Sequence, residues 1–216
     1  MVERAGKFVE VSDGAWKCYP SFNEYLYERE STPAPFIAPE AAAYASIIDY
    51  YANFSFGYSD YEDACYLTDC LTYELNLDKR DDEGQRAYEL SCSTSEAAYE
   101  RNIGYAIQDI NDDGIPELIL LADDEYVWPH FIYAIYTLHQ DSPVLAGAYW
   151  SRNQCELDKS GRLYVEGSNG AADNIFEVLW LNAESGEFEE VNSSRLPTVS
   201  KEIELVFIPF QPQEIG

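Results

Sequence analysis

The sequence predicts an α+β fold, with N-terminal helices packed on one face of a C-terminal antiparallel β-sheet built from hairpins. Three observations carry this. Apolar residues recur with a spacing near 3.6 before Asn102 and near 2 after it. Helix-like segments come first and strand-like segments second, without the alternation that a parallel sheet requires. The stretch Leu118–Leu121 is apolar on both faces, which places it at the centre of a sheet. A single domain over 1–216 is expected, its helical part over about 21–102 and its β part over about 103–208; a separate helical subdomain ending near Asn102 is the alternative.

Residues 1–20 are mixed, with Phe8, Val9 and Val11 able to form a short strand. Ser21-x-x-Glu24 is a capping box and opens a helix to about Glu30. STPAPFIAP (31–39) is an extended connector, because each proline disfavours the helical region for the residue before it. A helix follows from Pro39 to about Asn53, with Tyr44, Ile47, Ile48 and Tyr51 as its apolar stripe. Ser59-x-x-Glu62 starts another, to about Leu77, with Leu67, Leu71 and Leu75 stacked four apart. DKRDDEGQ (78–85) is a charged turn and Ala87–Cys92 is ambiguous. Ser93-x-x-Glu96 caps a short helix to about Asn102.

The second half reads as strands. Tyr105–Ile110 and Leu118–Leu121 flank an acidic loop. Phe131–Leu138 and Val144–Trp150 form a hairpin through His139–Pro143. Cys155–Leu157 and Leu163–Val165 form a second, and Ile175–Leu181 with Phe188–Val191 a third. Ile203–Ile208 reads as a last strand, ended by Pro209.

The sharpest chemical signal is the acidic loop, Asp109-x-Asn111-x-Asp113-Gly114-x-x-Glu117. A hard cation such as calcium takes six to eight oxygen ligands. Asp109, Asn111 and Asp113 supply oxygens at alternate positions, Gly114 turns the chain, the Ile115 carbonyl adds a donor, and Glu117 closes the site. An EF-hand is excluded, since Leu120 stands where its bidentate Glu should be and strands rather than helices flank the loop. The pattern resembles the calcium loops of FG-GAP and integrin-type repeats. The phrase DINDDGIPELIL also resembles a stretch found in exported proteins of gut Firmicutes, over about Ile103–Ala122. It is looser through the hairpins to Val191, where GSNGAA (167–172) is also similar, and it does not reach the first hundred residues. Only one copy of the loop occurs, so a propeller is not expected. The resemblance implies calcium as a structural cofactor and an extracellular or cell-surface location. The competing reading is a plain turn, since Asp, Asn and Gly favour turns without any metal.

Forty acidic residues against thirteen basic ones give a net charge of −27. Such a chain repels nucleic acid and anionic membranes, and no apolar run reaches the ~20 residues of a membrane span. The start, MVERAGKFVE, has no apolar signal-peptide core. Either the protein is cytoplasmic or an export signal precedes this stretch. The five cysteines, Cys18, Cys65, Cys70, Cys92 and Cys155, leave at least one thiol free. Cys65 and Cys70 fall on different helix faces and should not pair, and buried free thiols are the expected state.

No nucleophile elbow, zinc-protease, P-loop or dinucleotide motif is present. His130 and His139 lie on no helical ligand spacing, and Ser168 has no base placed beside it, so no catalytic residue is assigned. Trp128, Tyr149 and Trp150 lie near strand ends, where exposed flat rings can stack on sugars or anchor a protein; the expected reading is that they fill an aromatic-rich core or its rim, since such rings are mostly buried. The expected function is therefore a non-enzymatic exported module that binds a glycan or protein. The alternatives are a polysaccharide- or wall-directed hydrolase using paired carboxylates, and a cytoplasmic acidic interaction protein with a metal-free loop.

Overall fold

The computed structural model describes residues 2–4, 7–12, 15–19, 39–54, 61–77, 84–100, 102–124, 128–168, 174–191 and 203–210. It is α+β, with its α-helices in the first hundred residues and hairpin-built antiparallel sheets after them. The chain divides into two compact units, Met1–Glu100 with Phe210–Gly216, and Arg101–Pro209.

The first unit opens with a three-stranded antiparallel sheet, β1 (Val2–Arg4), β2 (Lys7–Ser12) and β3 (Ala15–Tyr19), in that order. Its strand at 7–12 covers the Phe8–Val11 segment. A 3-10 turn (Pro39–Tyr44) leads into α1 (Ala45–Ala52). The predicted stripe Tyr44, Ile47, Ile48 and Tyr51 is buried throughout. Helix α2 (Tyr61–Glu74) buries Leu67 and Leu71, and Leu75 follows in the turn after it. Helix α3 (Gln85–Ala97) runs straight through the ambiguous segment and through Ser93, which is buried inside the helix rather than capping a new one. The neighbouring Thr94 hydroxyl bonds back to the Leu90 carbonyl at 2.8 Å and meets the Thr68 hydroxyl of α2. A hydroxyl satisfied this way does not interrupt a helix. The expected helix at 21–30, its connector and the Ser59 cap lie outside the described residues, as does most of GSNGAA. No described helix is long and apolar enough to cross a membrane.

Cys70 is disulfide-bonded, while Cys65, Cys92 and Cys155 are free thiols. Cys65 and Cys70 are thus unpaired with each other, but buried free thiols do not describe all five cysteines.

The second unit holds two antiparallel sheets where one was expected. The five-stranded sheet has the order β12-β4-β5-β6-β7, made of β4 (Ile103–Gln108), β5 (Glu117–Asp124), β6 (Trp128–His139), β7 (Ser142–Ala148) and β12 (Ile208–Pro209). The four-stranded sheet runs β11-β10-β9-β8, made of β8 (Asn153–Leu157), β9 (Arg162–Ser168), β10 (Asn174–Asn182) and β11 (Glu187–Glu190). Strand β5 is central, with Leu118, Ile119, Leu120 and Leu121 all buried. The β6–β7 turn places Gln140 and Asp141 at positive φ, 51° and 62°, the signature of a tight primed hairpin turn. The last strand is only two residues, so Ile203–Phe207 does not form the predicted ladder.

One core joins the two sheets. Ala106, Ile119, Leu121, Ile132 and Ile135 of the first meet Cys155, Leu157, Leu163, Val165 and Leu181 of the second. Alternation makes a second sheet necessary. Each hairpin strand has one apolar face to hide, and strands β8 to β10 carry enough such positions to make their own layer.

Candidate functional site

The acidic loop connects β4 to β5, neighbours in antiparallel register with Gln108 opposite Glu117. Its backbone is tied by its own side chains. The Gly114 amide donates to Asp109 Oδ2 at 2.9 Å, and the Ile115 amide to Asp113 Oδ1 at 2.7 Å. The Asp113 amide donates to Asn111 Oδ1 at 3.3 Å, and Asn111 Nδ2 donates to Asp113 Oδ2 at 3.0 Å. Asp112 and Gly114 adopt positive φ, 57° and 86°. Gly114 has open space where a Cβ would stand, so its backbone angle and not crowding selects glycine. Asp112 is exposed, and so are Asp113 and Ile115 of the proposed ligand set.

Glu117 is fully buried beneath the loop. Its Oε2 accepts the Ile110 amide at 2.9 Å and its Oε1 accepts the Thr137 hydroxyl at 3.0 Å. Burial pushes its carboxyl from 4.5 up to about 7, against the two hydrogen bonds, and the Asp113 and Asp109 charges push it further in the same direction. The structure therefore brings Asp109, Asp113 and Glu117 into one electrostatic neighbourhood, with Asn111 between the first two. Thr137 could not be read from the loop. Its only signal is a hydroxyl in the otherwise apolar run of β6.

Asp109 Oδ1 is buried and has no hydrogen-bond partner. A buried carboxylate oxygen without a donor is costly and calls for a cation or a water. Among the described residues, no three His, Cys, Asp or Glu side chains already converge as a metal-holding group. Asn111 Nδ2 now faces Asp113, so its amide hydrogen occupies ground that a cation would take. The residues that would hold an ion are Asp109, Asn111, Asp113, the Ile115 carbonyl and Glu117, and the bound ion would supply charge neutralisation.

A second turn braces the loop, marked in the sequence only by Asp-x-Ser-Gly between strands. Asp158 is buried, with Oδ1 accepting Ser160 N, Ser160 Oγ and Arg162 N at 2.8, 2.6 and 3.1 Å. Its Oδ2 accepts the Tyr164 hydroxyl at 3.1 Å. Gly161 in this turn lies against the Ile110 carbonyl, which a Cβ would approach to 1.6 Å.

The described aromatic residues fit the core-or-rim reading, not a platform. Tyr149 is 4% exposed and belongs to the core, just past the end of β7, with its amide donating to the Tyr133 carbonyl at 2.7 Å. Trp150 is half-buried, and the Trp128 side chain lies outside the described residues. His139 ends β6 and Ser168 ends β9, its amide donating to the Arg152 carbonyl at 3.0 Å. Among the described residues of the second unit, the exposed ring is Phe176, at 54%.

Fold and site together define an α+β protein with a tied acidic loop between two central strands. Comparison with family models, with curated proteins and with solved structures gave no match.

Proposed function

We propose that this protein is a non-enzymatic binding module of the cell exterior, with calcium held in the β4–β5 loop as a structural brace. The observation that carries the reading is the unpartnered, buried Asp109 Oδ1 inside a loop whose spacing suits a hard cation. Three acids with mutually unfavourable charges support it, since an ion would turn their repulsion into coordination. The disulfide at Cys70 supports an oxidising compartment, where calcium is also abundant. The module's role would be to present a rigid surface to a glycan or a protein partner.

Thermal melting in excess EDTA and in millimolar calcium tests this, with Asp112→Asn and Asp113→Ala as variants. Calcium at a hundred times its dissociation constant should stabilise the wild type by about 2.7 kcal/mol. Asp112→Asn should keep the shift, since Asp112 is exposed and asparagine tolerates positive φ. Asp113→Ala should lose it. An unchanged wild-type midpoint with no calorimetric heat would leave a metal-free turn, as the cytoplasmic reading requires.

The hydrolase alternative would draw on a carboxylate pair such as Glu156 and Glu166, which line a pocket with aromatic rings. Both are exposed.

A further inference from the structure

The outer face of the four-stranded sheet carries a pocket of about 150 Å³, lined by Gln154, Cys155, Glu156, Tyr164, Glu166 and Phe176, with Phe131 of β6 beside them. The register explains the arrangement. Gln154, Glu166 and Phe176 stand directly opposite one another across β8, β9 and β10, and Glu156, Tyr164 and Val178 form the next row. All six point away from the core residues Cys155, Leu163 and Val165 by strand alternation. Tyr164 is buried with its hydroxyl fixed on Asp158, whereas Phe176 is more than half exposed, their ring centroids 6.4 Å apart.

Glu156 and Glu166 are diagonal neighbours, a relation that sets side chains roughly 7–8 Å apart. Neither has a hydrogen bond or ion pair among the described residues. Arg162, the cation two residues along β9 from Tyr164, is directed to the Tyr164 hydroxyl. Two carboxylates without a cationic partner among the described residues, together with aromatic rings, therefore border the cavity. A cation between them would contact both carboxylates and the ring faces at once.

We propose that this pocket binds an organic ammonium group, such as the end of a lysine side chain. The cavity has room for such a group, because 150 Å³ is many times the roughly 10–15 Å³ that a single water needs. A sugar chain would need a longer cleft, and a metal ion would need oxygen donors in place of rings. The proposal rests on the binding-module reading for its biological sense, but not on the calcium loop.

The test is NMR titration of the whole protein at low salt with n-butylammonium, with an acetylated Gly-Lys-Gly amide, with the matching norleucine peptide, and with cellobiose. Saturable shifts confined to residues of β8 to β10 and to Phe131 are expected with both ammonium probes and with neither neutral one. The tighter of the two ammonium probes tells whether the source is a small amine or a partner's lysine. Phe176→Ala should weaken binding at least tenfold, and Glu156→Gln and Glu166→Gln several-fold each, while Glu187→Gln on β11 should leave it unchanged. All four side chains are exposed, so the fold should survive, and unchanged amide spectra outside the sheet check this. Equal binding of the norleucine peptide, binding of cellobiose alone, or equal weakening by Glu187→Gln would overturn the proposal. So would no saturable binding of either ammonium probe. The calcium melt is read separately, so loss of either result leaves the other standing.

Discussion

At the scale of one residue, Glu117 holds the most unfavourable charge of the loop. Its carboxyl is raised to about 7 by burial, so the folded chain holds a proton that the unfolded chain releases near the ordinary value of 4.5. Stability from this group is thus fully present below about pH 4.5 and is lost as pH rises through 7. The loss is on the order of 3 kcal/mol across that window. Melting of the calcium-free protein between pH 5 and 8 should therefore show a falling contribution that Glu117→Gln removes. Calcium favours the carboxylate and should flatten the same slope in the wild type. Identical pH profiles for wild type and Glu117→Gln in EDTA would show that Glu117 is not the titrating group. The acid itself was legible in the sequence as the closing residue of the loop. Its burial was not, because the Ile110 amide and the Thr137 hydroxyl that satisfy it come from seven residues back and twenty residues on.

At the scale of elements, the stiffness of the loop depends on a turn in the other sheet. Gly161 has φ 76° and touches the Ile110 carbonyl, while the Ile110 amide is held by Glu117. Gly161→Ala meets both a left-handed backbone and a carbonyl that cannot yield, and should cost about 2–4 kcal/mol. It should also shrink the calcium-induced rise in midpoint, since Ile110 must move and Glu117 with it. A variant that melts like wild type, with the full calcium response, would separate the two turns. Sequence periodicity located most elements in this unit. The hairpins 131–150, 155–165 and 175–191 appear as β6–β7, β8–β9 and β10–β11, because period-2 alternation with turn residues is a local signal. What it did not give is the split into two sheets. Sheet membership is decided by which apolar faces meet, as when Leu163 and Leu181 close on Ile119 and Ile135, and that is a long-range fact. The same limit explains Ser93. A capping box is defined by four residues, but whether a helix starts there or passes through is settled by packing, here of Leu90, Thr94 and Ala97.

At the scale of the whole molecule, composition gave the acidity and the thiol excess but not the cysteine partition. With Cys70 bonded and Cys65, Cys92 and Cys155 free, titration in denaturant should find three thiols before reduction and five after it. Five before reduction would remove the disulfide and with it a support for an oxidising compartment. The division of the chain makes a stronger demand. Every residue of the sandwich core, from Ala106 to Phe207, belongs to the segment Arg101–Pro209. So do the acidic loop, its Thr137 partner, the Gly161 brace and the aromatic pocket. A segment that contains its own apolar core and its own polar partners has the means to fold alone. Expressed by itself, the fragment 101–209 should melt cooperatively, with a β-type circular dichroism spectrum. It should also show the same calcium-induced shift as the whole chain, since no proposed ligand lies outside it. A fragment that is unfolded in both EDTA and calcium would show that the sandwich draws stability from residues 1–100. One that folds but ignores calcium, while the whole chain responds, would place the cation elsewhere than in the loop between β4 and β5.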